Sequence, residues 1–372
     1  MRFARCRVAK NGIKVALAVC SLGLLAFPQK KKDETQTLQI PRDLPTAVEG
    51  DPRKFVFHLT PLSGKGLLTK QVRDALGVLL HQSKGDPILE VRAFVAGSGD
   101  ARRVRDLVSA VFTERREPLP VLSLVQVGGL PLEGAQVELE GIAESRKETS
   151  HYGLALISAQ PAFSESPLDA TGPLVAKSVG SLEIALAAAG SQPADMERIT
   201  CFLSSLDGLD ATRKLVAGKF PTAAANFVQT QRAPARALAS CEGVARLRRE
   251  GGAPLAVLNP EALPAEAGQS QVALVGAARV VLTGSQVSFG LAEKDTRLAF
   301  ERLEKSLEQA GTSIRSVAFA ECYALSSGIA GQVRKVRGDF FDQGRPPAGS
   351  LEPVEGLPSM DAGFAMDVMA VK

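Results

Sequence analysis

One stretch, residues 125–143, limits the folds open to this chain more than any other. It reads VQVGGLPLEGAQVELEGIA, two segments of alternating apolar and polar residues on either side of a Leu-Pro turn. Such alternation is typical of β-strands that are buried on one side, so the stretch predicts a hairpin. Related stretches read VQTQRAPARALASCEGVA at 228–245 and VEGLPSMDAGFAMDVMA at 354–370. Three copies of one hairpin predict three copies of one domain.

The spacing of aromatic residues supports this repeat. Three times, an aromatic residue in the predicted middle strand is followed 18 positions later by one at the end of the second helix: Phe94 and Phe112, Phe202 and Phe220, and Tyr323 and Phe341. We expect each pair to meet in the core of its own domain. The repeats are predicted at residues 54–147, 148–250 and 270–372, with a connector rich in Pro, Gly and Ala at 251–269.

Each copy is predicted to contain a strand, a helix, a second strand, a second helix and the closing hairpin. The third copy opens with a further predicted hairpin over residues 271–286, QVALVGAARVVLTGSQ. Apolar residues at helical spacing mark the inner faces of the six helices: Val72, Leu76 and Leu79; Val104, Leu107, Val108 and Val111; Val175, Val179, Leu182 and Leu186; Leu209, Thr212, Leu215 and Val216; Phe300, Leu303 and Leu307; Val333, Val336 and Phe340.

The N-terminus has the pattern of an export signal. Residues 1–27 join a basic segment to the apolar run VALAVCSLGLLAF, which is short for a membrane-spanning helix. They predict a signal peptide or an uncleaved anchor, and hence an exported protein, periplasmic or membrane-anchored, that meets the membrane only through this segment. A disordered basic tail is the remaining interpretation. Residues 28–53 are polar and contain proline, so we expect a linker in which nothing packs.

Charge and composition argue against several functions. Eight of the 44 basic residues lie in residues 1–32, which contain no acid, so the remainder has 36 basic and 40 acidic residues. A mildly acidic body without Trp argues against nucleic-acid binding. Three His without ligand spacing and five Cys without a CxxC pair predict no metal site, and we expect no cofactor. The three body cysteines, an odd number with at least one free thiol, are expected as buried strand residues: Cys201, Cys241 and Cys322.

Short sequences recur at corresponding places in the copies. LTGSQ (282–286) and ISAQ (157–160) follow opening strands, VELEGIA (137–143) is a closing strand, and GLP (129–131 and 356–358) forms hairpin turns. Together with the order of elements, these resemble the RidA (YjgF) family of reactive-intermediate deaminases over roughly residues 55–372. The resemblance implies an α+β fold of three tandem RidA-like (chorismate-mutase-like) domains, each a mixed sheet with two helices on one face. Family members are homotrimers with clefts between subunits, so this chain is expected to be a monomeric, intramolecular pseudo-trimer around a central barrel.

The resemblance also implies a chemistry. Family enzymes hydrolyse enamines and imines to 2-keto acids, using an Arg in a P-A-R motif to bind the substrate carboxylate and a Glu on the last strand to position or protonate water. Counted from the Leu-Pro turns, the Arg positions hold residues that cannot bind a carboxylate: Leu122, Ala225 (nearest in copy two) and Gly349. The Glu positions hold Glu138, Ser240 (nearest in copy two) and Ala365, so only Glu138 keeps the acid.

Other residues are candidates for a ligand site. Pro234-Ala235-Arg236 spells the P-A-R motif, but aligning residues 228–234 with 125–131 makes Arg236 a solvated turn residue. The alternative register, with residues 241–247 as the first hairpin strand, would make Arg236 a carboxylate binder. Ser158 and Ser285 follow opening strands and either reach a cleft or cap turns. The ligand-binding candidates are therefore Glu138, Arg236, Ser158 and Ser285, and no residue is assigned as catalytic.

Three functions remain open from the sequence. The first is an exported, RidA-like small-molecule-binding protein with largely degenerate deaminase sites, which would take a small carboxylate or imine. The second is an active enamine or imine deaminase that uses Arg236 or another Arg. The third is a structural or interaction scaffold. Reactive enamines arise beside cytoplasmic pyridoxal-phosphate enzymes, so export favours a changed function.

Overall fold

A computed structural model describes residues 42–97 and 101–372 of the chain. The predicted signal or anchor (1–27) and the first part of the predicted linker lie outside the described residues. Within the described ranges, no helix has both the length and the apolar character needed to cross a membrane.

The described residues form sixteen strands and six α-helices. In chain order the strands are β1 (Ala47–Gly50), β2 (Phe55–Leu59), β3 (Ile88–Ala96), β4 (Val121–Val127), β5 (Val137–Glu144), β6 (Leu154–Ser164), β7 (Met196–Leu203), β8 (Ala224–Gln229), β9 (Ala237–Arg246), β10 (Leu255–Leu258), β11 (Val272–Val275), β12 (Val280–Thr283), β13 (Gln286–Phe289), β14 (Val317–Ala324), β15 (Ala348–Pro353) and β16 (Ala362–Val371). The helices are α1 (Leu68–Gln82), α2 (Ala101–Arg115), α3 (Thr171–Ala188), α4 (Leu209–Lys219), α5 (Glu293–Gln309) and α6 (Ser327–Phe340).

These strands form three mixed sheets. The first has the order β2-β5-β3-β4, the second β10-β11-β6-β9-β7-β8, and the third β1-β12-β16-β14-β15 with β13 also paired to β16. Each sheet has one parallel pair, namely β3 with β4, β7 with β8, and β14 with β15. Parallel neighbours need a crossover connection, which α2, α4 and α6 supply. The α+β class with mixed sheets is therefore confirmed.

Two helices cover one face of each sheet, as their apolar periodicity predicts. In the first sheet, Val72, Leu76 and Leu79 of α1 are fully buried and share a cluster with alternate residues of β3. Burial of such a side chain stabilises the fold by about 1.5–3 kcal/mol. Equivalent clusters join α3 and α4 to the second sheet and α5 and α6 to the third.

The helix-free faces of the three sheets turn toward one another. Two apolar clusters in this interior each draw residues from all three sheets. In one of them, the Phe94 and Phe202 ring centroids are 6.1 Å apart, and those of Phe202 and Tyr323 are 6.5 Å apart. Phe112 lies instead on the helix-covered side, as do Phe220 and Phe341. The expected pairing of aromatics within each domain is therefore wrong, because side chains alternate across a strand and this set faces the interior.

The sheets meet at their edges without closing into one sheet. The Ser285 amide of the third sheet donates to the Leu122 carbonyl of the first, at 3.1 Å. The Gly349 amide of the third donates to the Ser158 hydroxyl of the second, at 2.8 Å. Among the described strands no sheet closes on itself. The interior is therefore lined by three separate sheets, and the expected central barrel is not a continuous hydrogen-bonded barrel.

The short strands β11 and β12 pair with different sheets, which the sequence did not predict. In the predicted hairpin of residues 271–286, β11 pairs with β6 and β10 of the second sheet, whereas β12 pairs with β16 and β1 of the third. That hairpin prediction is wrong, because the two strands diverge to different sheets.

The expectation that nothing packs in residues 28–53 is also wrong over its last part. Ala47–Gly50 forms β1, which pairs antiparallel with Val280–Thr283 at the edge of the third sheet. The partly buried Val48 packs on the interior apolar cluster, so this segment gains both backbone hydrogen bonds and apolar burial.

The body cysteines are buried in strands, as expected. Cys201 of β7 and Cys241 of β9 are directly paired across the sheet and form a disulfide. Cys322 is free and buried, and burial raises the pKa of its thiol to about 12, so it stays protonated at neutral pH.

Candidate ligand-binding clefts

A cavity of about 570 Å³ lies between the second and third sheets, and we call it the 2–3 cleft. Such a volume falls in the range that takes a small ligand. One wall comes from the end of β6 and the turn that precedes β9, and the other from the start of α6 and from β15. Its apolar lining includes Phe163, Leu238, Leu325 and Leu351.

Local hydrogen bonds fix these two walls against each other. The Gln231 side-chain amide, in the segment after β8, donates to the carbonyls of Leu325 and Val354 at 3.4 and 3.1 Å. The neighbouring Arg232 amide donates to the carboxylate of Glu355 at 2.8 Å. These bonds hold the turn of the second sheet on the third sheet, so the cleft is formed before any ligand enters.

The cleft places two guanidinium groups on opposite walls. Arg236 lies in the turn before β9, exposed, with its guanidinium carbon 4.0 Å from the Phe163 ring centroid. Arg334 of α6 is half-exposed and pairs with Glu266 at 3.2 Å. Guanidinium groups bind carboxylates through two parallel hydrogen bonds, so the pair favours an anionic ligand.

The first turn of α6 adds to the positive character of the cleft. The Ser326 hydroxyl caps this helix by accepting a hydrogen bond from the Ile329 amide at 3.3 Å, and Ser326 and Ser327 line the cavity. A helix N-terminus carries partial positive charge, which adds to that of the two arginines.

A buried carboxyl group, Glu352 of β15, forms part of the same cleft. Glu352 is 4% exposed and its Oε1 accepts a hydrogen bond from Ser240 Oγ at 2.6 Å. Burial raises the pKa of Glu352 to about 8, and the charge of Glu242 adds to this, although the Ser240 hydrogen bond opposes it. At neutral pH this side chain is therefore a neutral acid that can donate a proton.

The register of the second hairpin decides the place of Arg236. Val228 pairs with Phe202 in the parallel ladder, as Val125 pairs with Phe94. Residues 241–246 belong to β9, the last strand, so the alternative register is excluded. Arg236 is the turn residue that the alignment predicts, and this turn borders the 2–3 cleft.

Glu138 lies away from the 2–3 cleft. It is 4% exposed, pairs with Phe94 across the first sheet, and its Oε2 has no hydrogen-bond partner among the described residues. Burial, with the charge of Glu140, raises the pKa of Glu138 to about 8, whereas Arg213 lowers it.

Arg213 borders a second cavity, of about 340 Å³, which we call the 1–2 cleft. Its walls are the turn after β4 and the start of α4, and it is lined by Leu130, Pro131, Glu133, Leu206, Gly208, Leu209, Asp210 and Arg213.

The two serine candidates do not line either cleft. Ser158 is fully buried, donates to the Ser270 carbonyl at 2.6 Å and accepts from the Gly349 amide. Ser285 is half-buried near the interior and lies 3.4 Å from Asp367 Oδ2. Both hydroxyls therefore act at junctions between strands and sheets.

The former Arg positions occupy one equivalent place in the three sheets. Leu122, Ala225 and Gly349 each pair with the residue three before the interior aromatic of the neighbouring strand. A Cβ on Gly349 would lie 2.0 Å from the Ala320 carbonyl oxygen. An arginine therefore cannot be accommodated there without backbone movement, which agrees with the loss of this position in the sequence.

Sequence reasoning missed Glu352, Ser240 as its partner, and Arg334. The signal for Glu352 was present, because it alternates with Ser350 along a strand otherwise buried on that face. The signal for Arg334 was its helical position one residue after the buried Val333, which directs it to the edge of the helix. Neither signal says that the two residues meet in one cavity, because they lie on different elements.

Among the described residues, one group of carboxylates has the proximity to hold a metal ion. Its members are Glu90, Glu321 and Asp367, which are buried between the sheets and outside both clefts. Arg92 and Arg198 already bond Glu321, at 2.6 and 2.8 Å, so part of the negative charge is neutralised by the protein itself.

Comparison with known proteins finds likeness in solved structures alone. No family model and no curated protein matches the chain. A Rid-family protein of unknown function from Yersinia pestis is 19% identical, and the match covers 32% of this chain and 100% of that one, with a TM-score of 0.29. A YjgF-family protein from Neisseria meningitidis is 17% identical over 32% and 94% of the two chains, with a TM-score of 0.24. A YjgF/YER057c/UK114-family protein from Mycobacterium tuberculosis is 21% identical over 32% and 99%, with a TM-score of 0.24.

At these identities and TM-scores the likeness carries nothing about ligand or activity. Each match spans about a third of this chain and nearly the whole of the other protein. These three solved structures belong to the family that the sequence resembles, the RidA (YjgF) family.

Proposed function

We propose that this chain binds a small carboxylate with an apolar body in the 2–3 cleft. The observation that carries the proposal is that Arg236 and Arg334 stand on opposite walls of a cavity of about 570 Å³ lined mainly by apolar side chains. Arginine forks fix a carboxylate in orientation, and the apolar walls take the rest of the molecule. The neutral Glu352 on the wall can donate a hydrogen bond to a carbonyl or imine nitrogen.

Calorimetry with short 2-oxo acids tests this proposal. Pyruvate and 2-oxobutanoate, with their amides as uncharged controls, are titrated into the full chain and into Arg236→Ala. We expect the acids to bind and the amides to bind at least tenfold more weakly, with a tenfold loss for the acids in the variant. Arg315→Ala, an exposed arginine outside the cleft lining, is the matched control. Equal affinity for acid and amide contradicts the proposal.

A second function, hydrolysis of an imino acid, is favoured by one observation: the buried acid Glu352 beside Ser240 in the same cleft. Glu352 would give its proton to the imine nitrogen and take one from the attacking water, which forms a carbinolamine. It would then give that proton to the amine, which leaves as ammonia, and take the proton of the hydroxyl that becomes the keto oxygen. One water is consumed, the C–N bond breaks, and a 2-keto acid and ammonia leave. Ammonia release from an imino acid that an amino-acid oxidase generates in situ measures this reaction. Glu352→Gln should abolish release while 2-oxo acid binding persists, and undiminished release in that variant would show that Glu352 is not the acid.

We also propose that the three sheets are three tandem RidA-like units, at about residues 54–147, 148–250 and 270–372, which form a monomeric pseudo-trimer. Support comes from the shared order of elements and from the common registers of the parallel pairs. Light scattering should give a mass close to the 39.2 kDa of one chain, or less if the N-terminus is cleaved. A mass near three times this value contradicts the pseudo-trimer.

Export through residues 1–27 is a further part of the proposal. The disulfide between Cys201 and Cys241 supports it, because such bonds persist mainly in oxidising compartments. N-terminal sequencing of the protein from its native cell tests export: a start after the apolar run supports cleavage, and an intact Met1 leaves an anchor or a cytoplasmic protein.

A further inference from the structure

A cluster of seven charged side chains fills the interior between the three sheets, and we call it the central charge cluster. Two strands of each sheet contribute: Glu90 and Arg92 of β3, Glu140 of β5, Arg198 of β7, Glu242 of β9, Glu321 of β14 and Asp367 of β16. None of these residues is more than 7% exposed. None of the seven residues lines either cleft, although the charge of Glu242 acts on Glu352 in the lining of the 2–3 cleft.

Two guanidinium groups hold three of the carboxylates. Arg92 bonds Glu140 at 2.5 Å, Glu242 at 2.8 Å and Glu321 at 2.6 Å, so one side chain joins all three sheets. Arg198 bonds Glu321 at 2.8 Å. Neutral donors complete the shell of Glu140, with Thr200 and Asn226 each at 2.7 Å.

Two carboxyl groups have no cation of their own. Among the described residues, neither Glu90 nor Asp367 forms an ion pair. Their oxygens lie within 4.8 Å of each other and of a Glu321 oxygen. The three carboxyls and Arg198 border a cavity of about 20 Å³, the size of one water molecule. Two buried polar atoms beside them, Arg198 Nε and Ser123 Oγ, lack a hydrogen-bond partner.

A charge count shows what the cluster lacks. Five carboxyls face two guanidiniums, so full ionisation would bury three negative charges without compensation. An uncompensated buried charge is strongly unfavourable, and a carboxyl in that position takes up a proton instead. The other titratable groups near the cluster supply no positive charge: the Tyr323 hydroxyl, 3.3 Å from Arg92 Nη1, stays protonated, and Glu138 and Glu352 are themselves carboxyls.

We propose that the folded chain holds up to three protons in the central charge cluster at neutral pH, and that their loss in alkali weakens the contact between the three sheets. Glu90 and Asp367, which have no ion pair within the described ranges, are two of the sites. Glu242 is the third, because its buried Oε2 has no hydrogen-bond partner among the described residues. Asp367 pairs directly with Glu321 across the third sheet, where one proton can be shared between two carboxyls. The contact between the three sheets is thus more stable in acid and less stable in base.

The directions of the pKa shifts agree with this assignment. Burial raises the pKa of Glu90 and of Glu242 to about 7 each, and it raises that of Asp367 well above its usual range. For Glu321, burial is outweighed by Arg92 and Arg198, so its pKa falls to about 2 and it stays ionised. A carboxyl whose folded pKa is raised stabilises the fold fully below its unfolded pKa, near 4.5, and this contribution is lost as the pH rises through the folded value.

Urea unfolding of the full chain at pH 5–9 tests this pH dependence of stability. Each proton held only by the folded state changes the unfolding equilibrium constant tenfold per pH unit. We expect Glu90→Gln with Asp367→Asn to reduce the steepness between pH 5 and 8 by up to a hundredfold per unit. Glu308→Gln, an exposed acid, is the control and should leave the slope unchanged. An unchanged slope in the double variant overturns the proposal.

A direct measurement does not depend on the variants. Refolding of the wild-type chain from urea at pH 7, in weak buffer with an indicator dye, should take up more than two protons per chain, because Glu138 and Glu352 outside the cluster can account for up to two. An uptake of two or fewer overturns the proposal. So does stabilisation of the wild type, but not of the double variant, by 1 mM magnesium, calcium or manganese chloride at pH 8, because the cluster would then bind a metal ion in place of protons.

Discussion

The 2–3 cleft and the 1–2 cleft have the same frame but differ in charge at the rim. Arg334 and Arg213 occupy one helical position, each 11 residues after an interior aromatic residue. On the opposite wall, Arg236 of the 2–3 cleft corresponds to Glu133 of the 1–2 cleft. Each lies three residues after an aligned turn residue, Ala233 or Leu130. Both residues line their cavities. The same arrangement of elements can therefore carry either sign of charge at the entrance of a cleft, because residues at this rim are not needed for packing.

Two buried acids, Glu352 in the lining of the 2–3 cleft and Glu138 outside the lining of the 1–2 cleft, also come from different strands. In the 2–3 cleft the acid is Glu352, and Ser240 of the neighbouring sheet donates to it. Glu138, near the 1–2 cleft, stands at the strand position that Ser240 occupies in the second sheet, and it has no donor on Oε2. The buried acid lies on the last strand, β5, in the first sheet, but on β15 in the third sheet. One sequence position alone therefore does not locate this acid in every sheet.

The largest expected effect is on stability in alkali. Folded pKa values of about 8 for Glu138 and Glu352, against about 4.5 unfolded, mean that both acids favour the fold below pH 4.5 and that this contribution fades up to pH 8. Each acid lowers the free energy of unfolding by about 1.4 kcal/mol per pH unit, or about 4 kcal/mol over three units. Glu138→Gln or Glu352→Gln should each remove that pH dependence. Urea midpoints at pH 5 and 8 measure this. Flattening in one variant only would show that the two acids are not equivalent.

Charge reversal at the rim should have the next largest effect. Arg236→Glu makes the 2–3 cleft resemble the 1–2 cleft, and it should weaken 2-oxo acid binding about a hundredfold, or about 3 kcal/mol, through the lost fork and added repulsion. Calorimetry measures the change. Glu133→Arg in the 1–2 cleft is the reciprocal variant, and a gain of carboxylate binding there would show that the rim charge decides the ligand.

Removal of the donor to Glu352 should have a smaller effect. Ser240→Ala deletes the hydroxyl that donates to Oε1, which should cost about 1 kcal/mol of unfolding free energy and raise the pKa of Glu352 further. Urea unfolding and a carboxyl NMR titration measure the two quantities. Ser350→Ala, on the same strand as Glu352 and without a hydrogen-bond partner for its hydroxyl, is the control, and an equal loss in both would assign no special role to Ser240.

The smallest expected effect belongs to the helical arginine. Arg334 is half-exposed and already paired with Glu266, so Arg334→Ala should weaken 2-oxo acid binding by about 0.5 kcal/mol, two- to threefold. Arg213→Ala, at the corresponding position of the 1–2 cleft, should leave that affinity unchanged. A tenfold loss in the first variant would make Arg334 the principal carboxylate ligand.

Local pattern predicted the elements of this fold well, because each depends on neighbours in sequence. The inner faces of α1 and α3 are buried as their spacing requires. The shared hairpin register also followed from the aligned turns. Pattern does not say which sheet a short strand joins, and β11 is apolar enough for either sheet. Its choice depends on an edge left open by residues far along the chain.

The sites were predicted less completely for a related reason. Arg236 was recognisable from its motif, yet its partners across the cleft come from another sheet. The central charge cluster was not predicted, because Arg92 and Arg198 each lie in a strand that is otherwise mostly apolar and buried, and several of their partners come from other sheets. A charged residue in a strand that is otherwise buried is a usable signal. A buried charge is unfavourable without a partner, so its presence indicates charged partners elsewhere in the fold, including on other sheets.

The pairing of β1 with β12 has a consequence for synthesis. Residues 47–50 leave the ribosome among the first, but their partners at 280–283 follow about 230 residues later. The third sheet is therefore completed by the start of the chain, and no nascent fragment can finish it. A truncated product would keep an unpaired strand at its front and an open sheet edge, features that promote aggregation and recognition by quality control. Completion of the third sheet thus depends on the synthesis of residues 280–283 and of its other strands.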